Sequence, residues 1–468
     1  MPKRNLFFII FAVFAGMLAW LARDHGGHGR RFAEVLATVE QRYVEPVNSE
    51  QMFAAAMNGL FSSLDEHSSF ISGTLKEDLN ISLDQEFGGV GLELTTRDNL
   101  IEVQSPIVRS PAWSAGIVAG DIIESVDGHS TTGWSLSEVV AALRGTPGTV
   151  VTLGLSSVTT DPAVRTLDPA KIISSKIEKK TVSLIREQVL VESVLGDRRL
   201  PDGSWNWWIQ SENNVAILRI LQFGERTPEE VRDALQAIAR RCTTDGVAGI
   251  VIDLRNNGGG LLESAVDVCD LFLDTGVIVS TQSKDGTTIQ RRATPELLVP
   301  GVPIVVLINE LTASASEIVA ACLHDNKRAT IAGSRSFGKG TVQSLIPLSD
   351  ESGMLKLTTS EYLRPNMMPL HRDARDDAAG SWGVEPSPDN QITPTGQQEE
   401  ATKRWWQHRD TFVFPDDRPS CCAAPSRMTV QLPRNDSYTL FTGPSPREAD
   451  VVLSKGLDVL LSNTAGAQ

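Results

Sequence analysis

Cysteine is scarce and positive charge is in deficit, and each shortage argues against a class of function. The 468 residues hold five cysteines, Cys242, Cys269, Cys322, Cys421 and Cys422, with no Cys-x-x-Cys pair among them. A structural zinc site draws on such pairs, so zinc is not expected; no other metal or cofactor is called for by the sequence either. Cys242, Cys269 and Cys322 sit in apolar stretches and read as small core residues, while Cys421 and Cys422 are adjacent in a polar tail. Lys and Arg number 43 against 58 Asp and Glu, a formal net charge of −15. Such a chain has no surplus of cations to neutralise phosphates, which argues against a nucleic-acid partner. Internal repeats are lacking too. Apolar side chains make up 41% of the residues, enough for a sizeable core and for two or three domains.

A long uncharged hydrophobic run occurs at the start, from Leu6 to Ala22, preceded by Lys3 and Arg4. It reads as a signal peptide or a short signal anchor, residues 1–23. No small-x-small cleavage pattern follows, and Trp20 stands where an interfacial anchor would. The reading favours an uncleaved anchor in the cytoplasmic membrane, with the rest of the chain on the extracytoplasmic, periplasmic side; a cleaved segment would give a secreted protein. A buried N-terminal helix is the alternative, but it would show a polar face.

Residues 24–82 carry Phe32, Val35, Leu36, Val39 and Tyr43 at helical spacing and are read as a helical segment. From 83 to 170 the chain runs through Phe87-Gly88-Gly89-Val90-Gly91 into an alternating strand. Pro111-Ala112-Trp113-Ser114-Ala115-Gly116 and Gly120-Asp121-Ile122-Ile123 follow, then a helix from Ser135 to Leu143 and a closing strand from Thr149 to Leu155. This order resembles a PDZ domain. Backbone N–H groups of Gly88, Gly89, Val90 and Gly91 are then candidates to hold a peptide's terminal carboxylate while the next strand pairs with the peptide. No helix follows this glycine loop, so a dinucleotide fingerprint fails.

Residues 171–395 open with a charged, irregular stretch and continue as alternating strands and helices. Val215–Ile220, Gly249–Leu254, Pro303–Ile308 and Thr330–Ala332 read as strands; Pro228–Arg241, Leu261–Leu273 and Ser314–His324 read as helices. Such alternation predicts a mixed α/β fold with a largely parallel sheet covered by helices. Residues 396–468 are a polar, Pro-rich tail ending in one amphipathic helix, Pro446 to Leu461.

Three segments follow buried strands, where α/β proteins place their ligands. Gly333 to Thr341 nearly spells a phosphate-binding loop, but Gly340 stands where a Ser or Thr must follow Lys339, and a strand rather than a helix comes next. Nucleotide binding is rejected, and on spacing alone Lys339 is an exposed loop lysine. Asp253-Leu254-Arg255-Asn256-Asn257-Gly258-Gly259-Gly260 is either a tight turn or an anion-holding one, with Asp253 and Arg255 bracing it. Asn309 to Glu317 leads into a helix, and Ser314 with Glu317 fits a capping box. Ser314 is therefore a helix cap, or a nucleophile whose oxyanion the helix N-terminus would stabilise.

Taken together, Asp253–Gly260, Ala313–Glu317 and Ser336–Gln343, with the PDZ-like unit before them, resemble the carboxyl-terminal processing peptidases, also called tail-specific proteases. The likeness runs from about Val35 to Pro386 and implies a serine endopeptidase. It implies that Ser314 is the nucleophile, Lys339 its general base and Gln343 the group that orients Lys339. Backbone N–H groups of Ala315 and of Gly259 or Gly260 would form the oxyanion hole, and Asp325 matches a position that is acidic in some members. Protein or peptide substrates would be held by their C-termini on the PDZ domain; assembly of identical chains is left open. Gly258 replaces the family's Pro in the turn, and Asn366-Met367 replaces a Gly-Arg pair. A free Lys, with a pKa of about 10.4, is a poor base at neutral pH, and burial would favour its neutral form. A histidine base is the weaker alternative, because His324 lies ten residues along the helix from Ser314, about 15 Å away. An inactive PDZ scaffold is the alternative from another class.

Overall fold

Helical periodicity near the start becomes two helices, Gly27–Arg42 and Ser49–Phe61, in a computed structural model that describes residues 27–159, 176–200, 202–209, 212, 214–349, 353–372, 382–410 and 444–465. Asn48 caps the second helix by accepting the N–H groups of Glu50 and Gln51 at 3.0 and 3.1 Å. These helices belong to a first unit, made of the chain up to Lys76 together with Gln343–Thr358. Within it Ser69–Ser72 pairs antiparallel with Gly353–Lys356, and Phe53 meets Phe70 edge-on at 5.7 Å. Among the described residues no helix is long and apolar enough to cross a membrane. The run from Leu6 to Ala22 lies outside them, as do Cys421 and Cys422.

The second unit holds Glu77–Val342 and Thr359 onwards. Its first part is the glycine-loop domain. Strands Leu92–Arg97, Leu100–Pro106, Ile122–Val126, Val150–Thr159 and Lys176–Ile185 form its sheet in that order. The helix Leu136–Leu143 covers the sheet, started by a capping box in which Ser135 and Glu138 bond reciprocally. Val103, Ala112, Ile117, Ile123, Val139 and Leu153 fill the core. The sequence reading ended this domain near residue 170 and left the next stretch irregular. In the structure Lys176–Ile185 pairs along its whole length with Val150–Thr159. Its lysines and glutamate disguise the strand, because its outer face is exposed to water.

The second part is a three-layer α/β domain. Val215–Ile220, Gly249–Asp253, Ile304–Ile308 and Thr330–Gly333 run parallel in that order, and Val194–Leu195 pairs antiparallel at one edge. The first three are buried along their whole length, as strands covered on both faces must be. Ala216, Leu218 and Ile220 pack with residues of the helices Thr227–Asp245, Leu262–Asp270 and Ala315–Asp325. Val215 and Ile217 face the other way, with Trp405, Trp406, Leu453, Leu457 and Leu460 from the helices Gly396–Asp410 and Val451–Ala465. The amphipathic tail helix read from sequence is therefore an outer layer of the sheet, broken at Asp450 into Pro446–Ala449 and Val451–Ala465. Contact there is close: a Cβ on Gly249 would lie 2.5 Å from a Leu460 methyl, and one on Gly456 would lie 2.7 Å from a Leu307 methyl.

Asp450 ties this layer to the strand ends. Its Oδ1 accepts the N–H groups of Val452 and Leu453 at 3.1 and 2.9 Å and so caps the last helix. The carboxylate also accepts Arg255 at 2.9 and 2.7 Å and the Trp406 indole at 3.1 Å. Arg255 in turn holds Asp253 through bonds of 2.9 and 2.6 Å. Burial alone would raise the Asp450 pKa, but the Arg255 guanidinium overrides it and holds the carboxyl below its usual range. A depressed folded pKa means that the ionised group stabilises the fold above about pH 3.9 and stops doing so as pH falls through the folded value. Asp450→Asn is expected to lower stability by about 3–5 kcal/mol at neutral pH. Urea unfolding across pH checks this: the gap to wild type should close below about pH 3.9, and a gap unchanged into strong acid would show that the charge is not what matters.

Candidate active site

Strand Ile304–Ile308 ends beyond the buried sheet, and the loop Asn309–Ala313 carries the chain to Ser314 and the helix Ala315–Asp325. The loop is sewn to its neighbour. Thr312 donates to the Leu254 carbonyl at 2.8 Å, and the Ala313 N–H and the Ser316 hydroxyl both reach the Asn257 carbonyl, at 3.0 and 2.9 Å. Ser314 adopts φ 57° and ψ −118°, backbone that L-residues avoid and that active sites often hold under strain. Tyr362 is buried in the core that also holds Ala315 and Ile318.

Glu317 organises the segment. The capping-box pattern is half of its role, since its Oε2 accepts the Ser314 N–H at 2.8 Å. The same oxygen accepts the Lys339 N–H at 2.9 Å. Its Oε1 accepts the Gly338 N–H at 2.7 Å and the Ser336 hydroxyl at 2.6 Å. One fully buried carboxylate thus holds the main chain of Ser314 and of Lys339 together. Burial pushes its pKa up, opposed by the bonds from Ser336, Gly338, Ser314 and Lys339. Ser336 hydrogen-bonds Val384 twice, N–H to carbonyl at 3.0 Å and Val384 N–H to hydroxyl at 2.8 Å, which fixes the base segment from its other side.

The glycine turn lies directly over Ser314. A Cβ on Gly259 would sit 2.8 Å from the Ser314 Cβ and 3.0 Å from the Ala315 nitrogen, so only glycine fits. The Gly259 N–H donates to Asn257 Oδ1 at 2.9 Å. Of the two glycines expected to supply an oxyanion donor, Gly259 is the one that packs on Ser314, while Gly260 lies against Phe223. Gly258, standing where the family has Pro, does not leave the turn loose. Asn257 pins it: fully buried, its amide donates to the Ile220 carbonyl at 2.8 Å, and its carbonyl holds the nucleophile loop.

The other expected residues have partners of their own. Asp325 is at the far end of the helix from Ser314, where Arg364 takes its carboxylate at 2.5 and 3.0 Å and His324 at 3.2 Å. Those partners, with Arg364 foremost after His324, hold its pKa down against burial. It braces the helix C-terminus to the Arg364 segment and does not reach the site. Gln343 falls in the first unit, where its amide donates to Thr358 Oγ1 at 3.2 Å and that hydroxyl donates to Asp65 at 3.0 Å. In the glycine-loop domain, Gly88, Val90 and Gly91 direct their carbonyls inward, to the N–H groups of Gly145, Ala112 and Ile107 at 3.1, 2.9 and 3.0 Å. Gly89 pairs with Glu187.

Residues 214–386 match peptidase family S41 and residues 102–155 match a PDZ domain. Over 337 residues, 72% of this chain and 71% of the relative, the sequence is 38% identical to the carboxy-terminal-processing protease of Bartonella bacilliformis. The chain belongs to the carboxy-terminal-processing proteases of peptidase family S41. It is a serine-type peptidase with a PDZ domain. The carboxyl-terminal-processing protease of Synechocystis is 32% identical over 71% of this chain and 72% of its own length. A solved photosystem II D1 C-terminal processing protease is 28% identical, covering 79% of this chain and 94% of that one with a TM-score of 0.41.

Within this peptidase, the sequence shows Glu317 only as a local cap and does not single out Asn257. A Glu three residues after Ser314 was the one available signal, and it disclosed only the nearest of four donors. Glu317→Gln offers one acceptor oxygen and a donor amide to groups that all donate. It is expected to misplace Ser314 against Lys339 and cut kcat on the order of 100-fold while circular dichroism shows a folded chain. Cleavage within about threefold of wild type would count against the Glu317 clamp.

Proposed function

We propose that the protein is an endopeptidase that cleaves by a Ser–Lys acyl-enzyme mechanism, with Ser314 as nucleophile and Lys339 as general base. The observation that carries this reading is the shared Glu317 Oε2, which fixes the backbone of both residues at once. Neutral Lys339 takes the Ser314 Oγ proton as Oγ bonds to the scissile carbonyl carbon. The tetrahedral oxygen is held by the N–H group of Ala315 at the helix N-terminus and by that of Gly259 or Gly260. Lys339 then returns the proton to the leaving amine, the C–N bond breaks, and water attacks the ester by the same route in reverse.

The PDZ loop at Gly88, Gly89, Val90 and Gly91 takes the substrate's terminal carboxylate. Its inward carbonyls support that assignment, because N–H rather than C=O groups suit an anion. Substrates are extracytoplasmic proteins cut near their C-termini, and Leu6–Ala22 anchors the enzyme on that side of the membrane.

Ser314→Ala and Lys339→Ala are each expected to lower cleavage of an unfolded protein such as casein by about 10⁴-fold or more. Retained cleavage by Ser314→Ala would refute the nucleophile, and retained cleavage by Lys339→Ala would favour a histidine base. A wild type that binds but never cleaves would mark a scaffold. Amidating the C-terminus of a peptide substrate is expected to raise KM about 10- to 100-fold, the worth of a charged hydrogen-bond set. An unchanged KM would remove the carboxylate from PDZ recognition.

A further inference from the structure

Trp382 is a large aromatic side chain against the loop of the general base, and the mechanism above gives it no task. The loop is tight: Gly338 and Gly340 are buried, and Lys339 between them is half-buried. Trp382 closes on it. A Cβ on Gly338 would lie 2.7 Å from the indole Cε3 and 3.3 Å from Cζ3, so the rim of the six-membered ring stands against that α-carbon. The guanidinium carbons of Arg335 and Arg372 lie over the ring, 4.7 and 4.6 Å from its centroid. Both arginines are tied to the same place by further bonds. Arg335 donates to the Trp382 carbonyl at 2.9 Å and pairs with Glu385. The Arg372 N–H donates to the Gly338 carbonyl at 2.9 Å. The indole is thus fixed one residue from Lys339.

We propose that Trp382 is a positioning residue for the general base: its indole shields the Lys339 loop from water and so holds the Lys339 amine in its neutral form. The inference rests on Lys339 being that base. An indole face would attract an ammonium, but here guanidiniums lie over the face and the rim, which carries partial positive charge, meets the loop. The wall works against a pull the other way. Glu317 accepts the Lys339 N–H at 2.9 Å, and a carboxylate favours an ammonium nearby. Arg335 and Arg372 are permanent cations and oppose one. His371 and Tyr362 also border the loop. The His371 nitrogen would lie 2.0 Å from a Cβ on Gly340, and the Tyr362 N–H donates to the Gly340 carbonyl at 2.7 Å. Water admitted beside Lys339 would tip this balance towards the ammonium, which cannot take the Ser314 proton.

The pH dependence of kcat/KM on a peptide substrate, measured with the full chain, tests this. Trp382→Ala opens the wall. It is expected to lower kcat/KM about 10-fold at pH 7, with the gap to wild type closing as pH rises towards about 10.4, where a free Lys loses its proton. Trp382→Phe keeps a ring and is expected to recover most of the loss. A Trp382→Ala loss that is the same at every pH, or no loss at all, overturns the proposal, since packing alone acts equally at every pH. Trp382→Leu is a milder cut read in the same way, and it decides the matter if the Ala variant does not fold. Lys339→Ala on the same substrate separates this inference from the reading beneath it. If Lys339→Ala cleaves like wild type, the base assignment falls and this inference with it; if it is silent while the Trp382→Ala profile runs parallel to wild type, only the tryptophan falls.

Discussion

Four donors converge on the Glu317 carboxylate, and they come from segments that the chain visits about twenty residues apart. A carboxylate taken fully out of water is costly unless its lone pairs are filled. Each donor therefore has to arrive, and the Ser314 loop and the Ser336–Lys339 loop cannot drift apart without exposing or starving the charge. The strained backbone at Ser314 persists under the same constraint. Its φ is held by the Glu317 bond on one side and by the Gly259 α-carbon on the other.

The sheet supplies the frame for this clamp. Strands Gly249–Asp253, Ile304–Ile308 and Thr330–Gly333 lie side by side and parallel, so the three loops that leave them emerge at one edge. The middle strand feeds Ser314, one neighbour feeds the glycine turn and the other feeds Lys339. Asn257 and Thr312 close the first junction, Glu317 the second. The Arg255 guanidinium, between Asp253 and Asp450, extends the brace to the outer helices.

Sequence displayed the frame well, because a strand buried on both faces is a short apolar run and the helices between carry their own period. The strands at Val215, Gly249, Ile304 and Thr330 and the helix after Ser314 fall where periodicity put them. The strand Lys176–Ile185 was missed because its charged residues mask the pattern. The clamp itself was not legible, since hydrogen bonds between residues nineteen to twenty-two apart leave no local spacing to detect. The same holds for Asp325, whose partner Arg364 is thirty-nine residues on. Nor does a glycine pattern announce the side-chain acceptor, Asn257, that takes the Gly259 N–H.

The Asp450 brace also sets an order of assembly. A ribosome makes Ser314 and Lys339 well before Asp450, which follows Arg255 by 195 residues. Until that late stretch arrives, Arg255 has only Asp253 for its charge, and the sheet face at Val215, Ile217, Val251 and Leu307 has only Trp405 and Trp406 to cover it. The reacting residues thus exist in a nascent chain before the ground beneath them is finished.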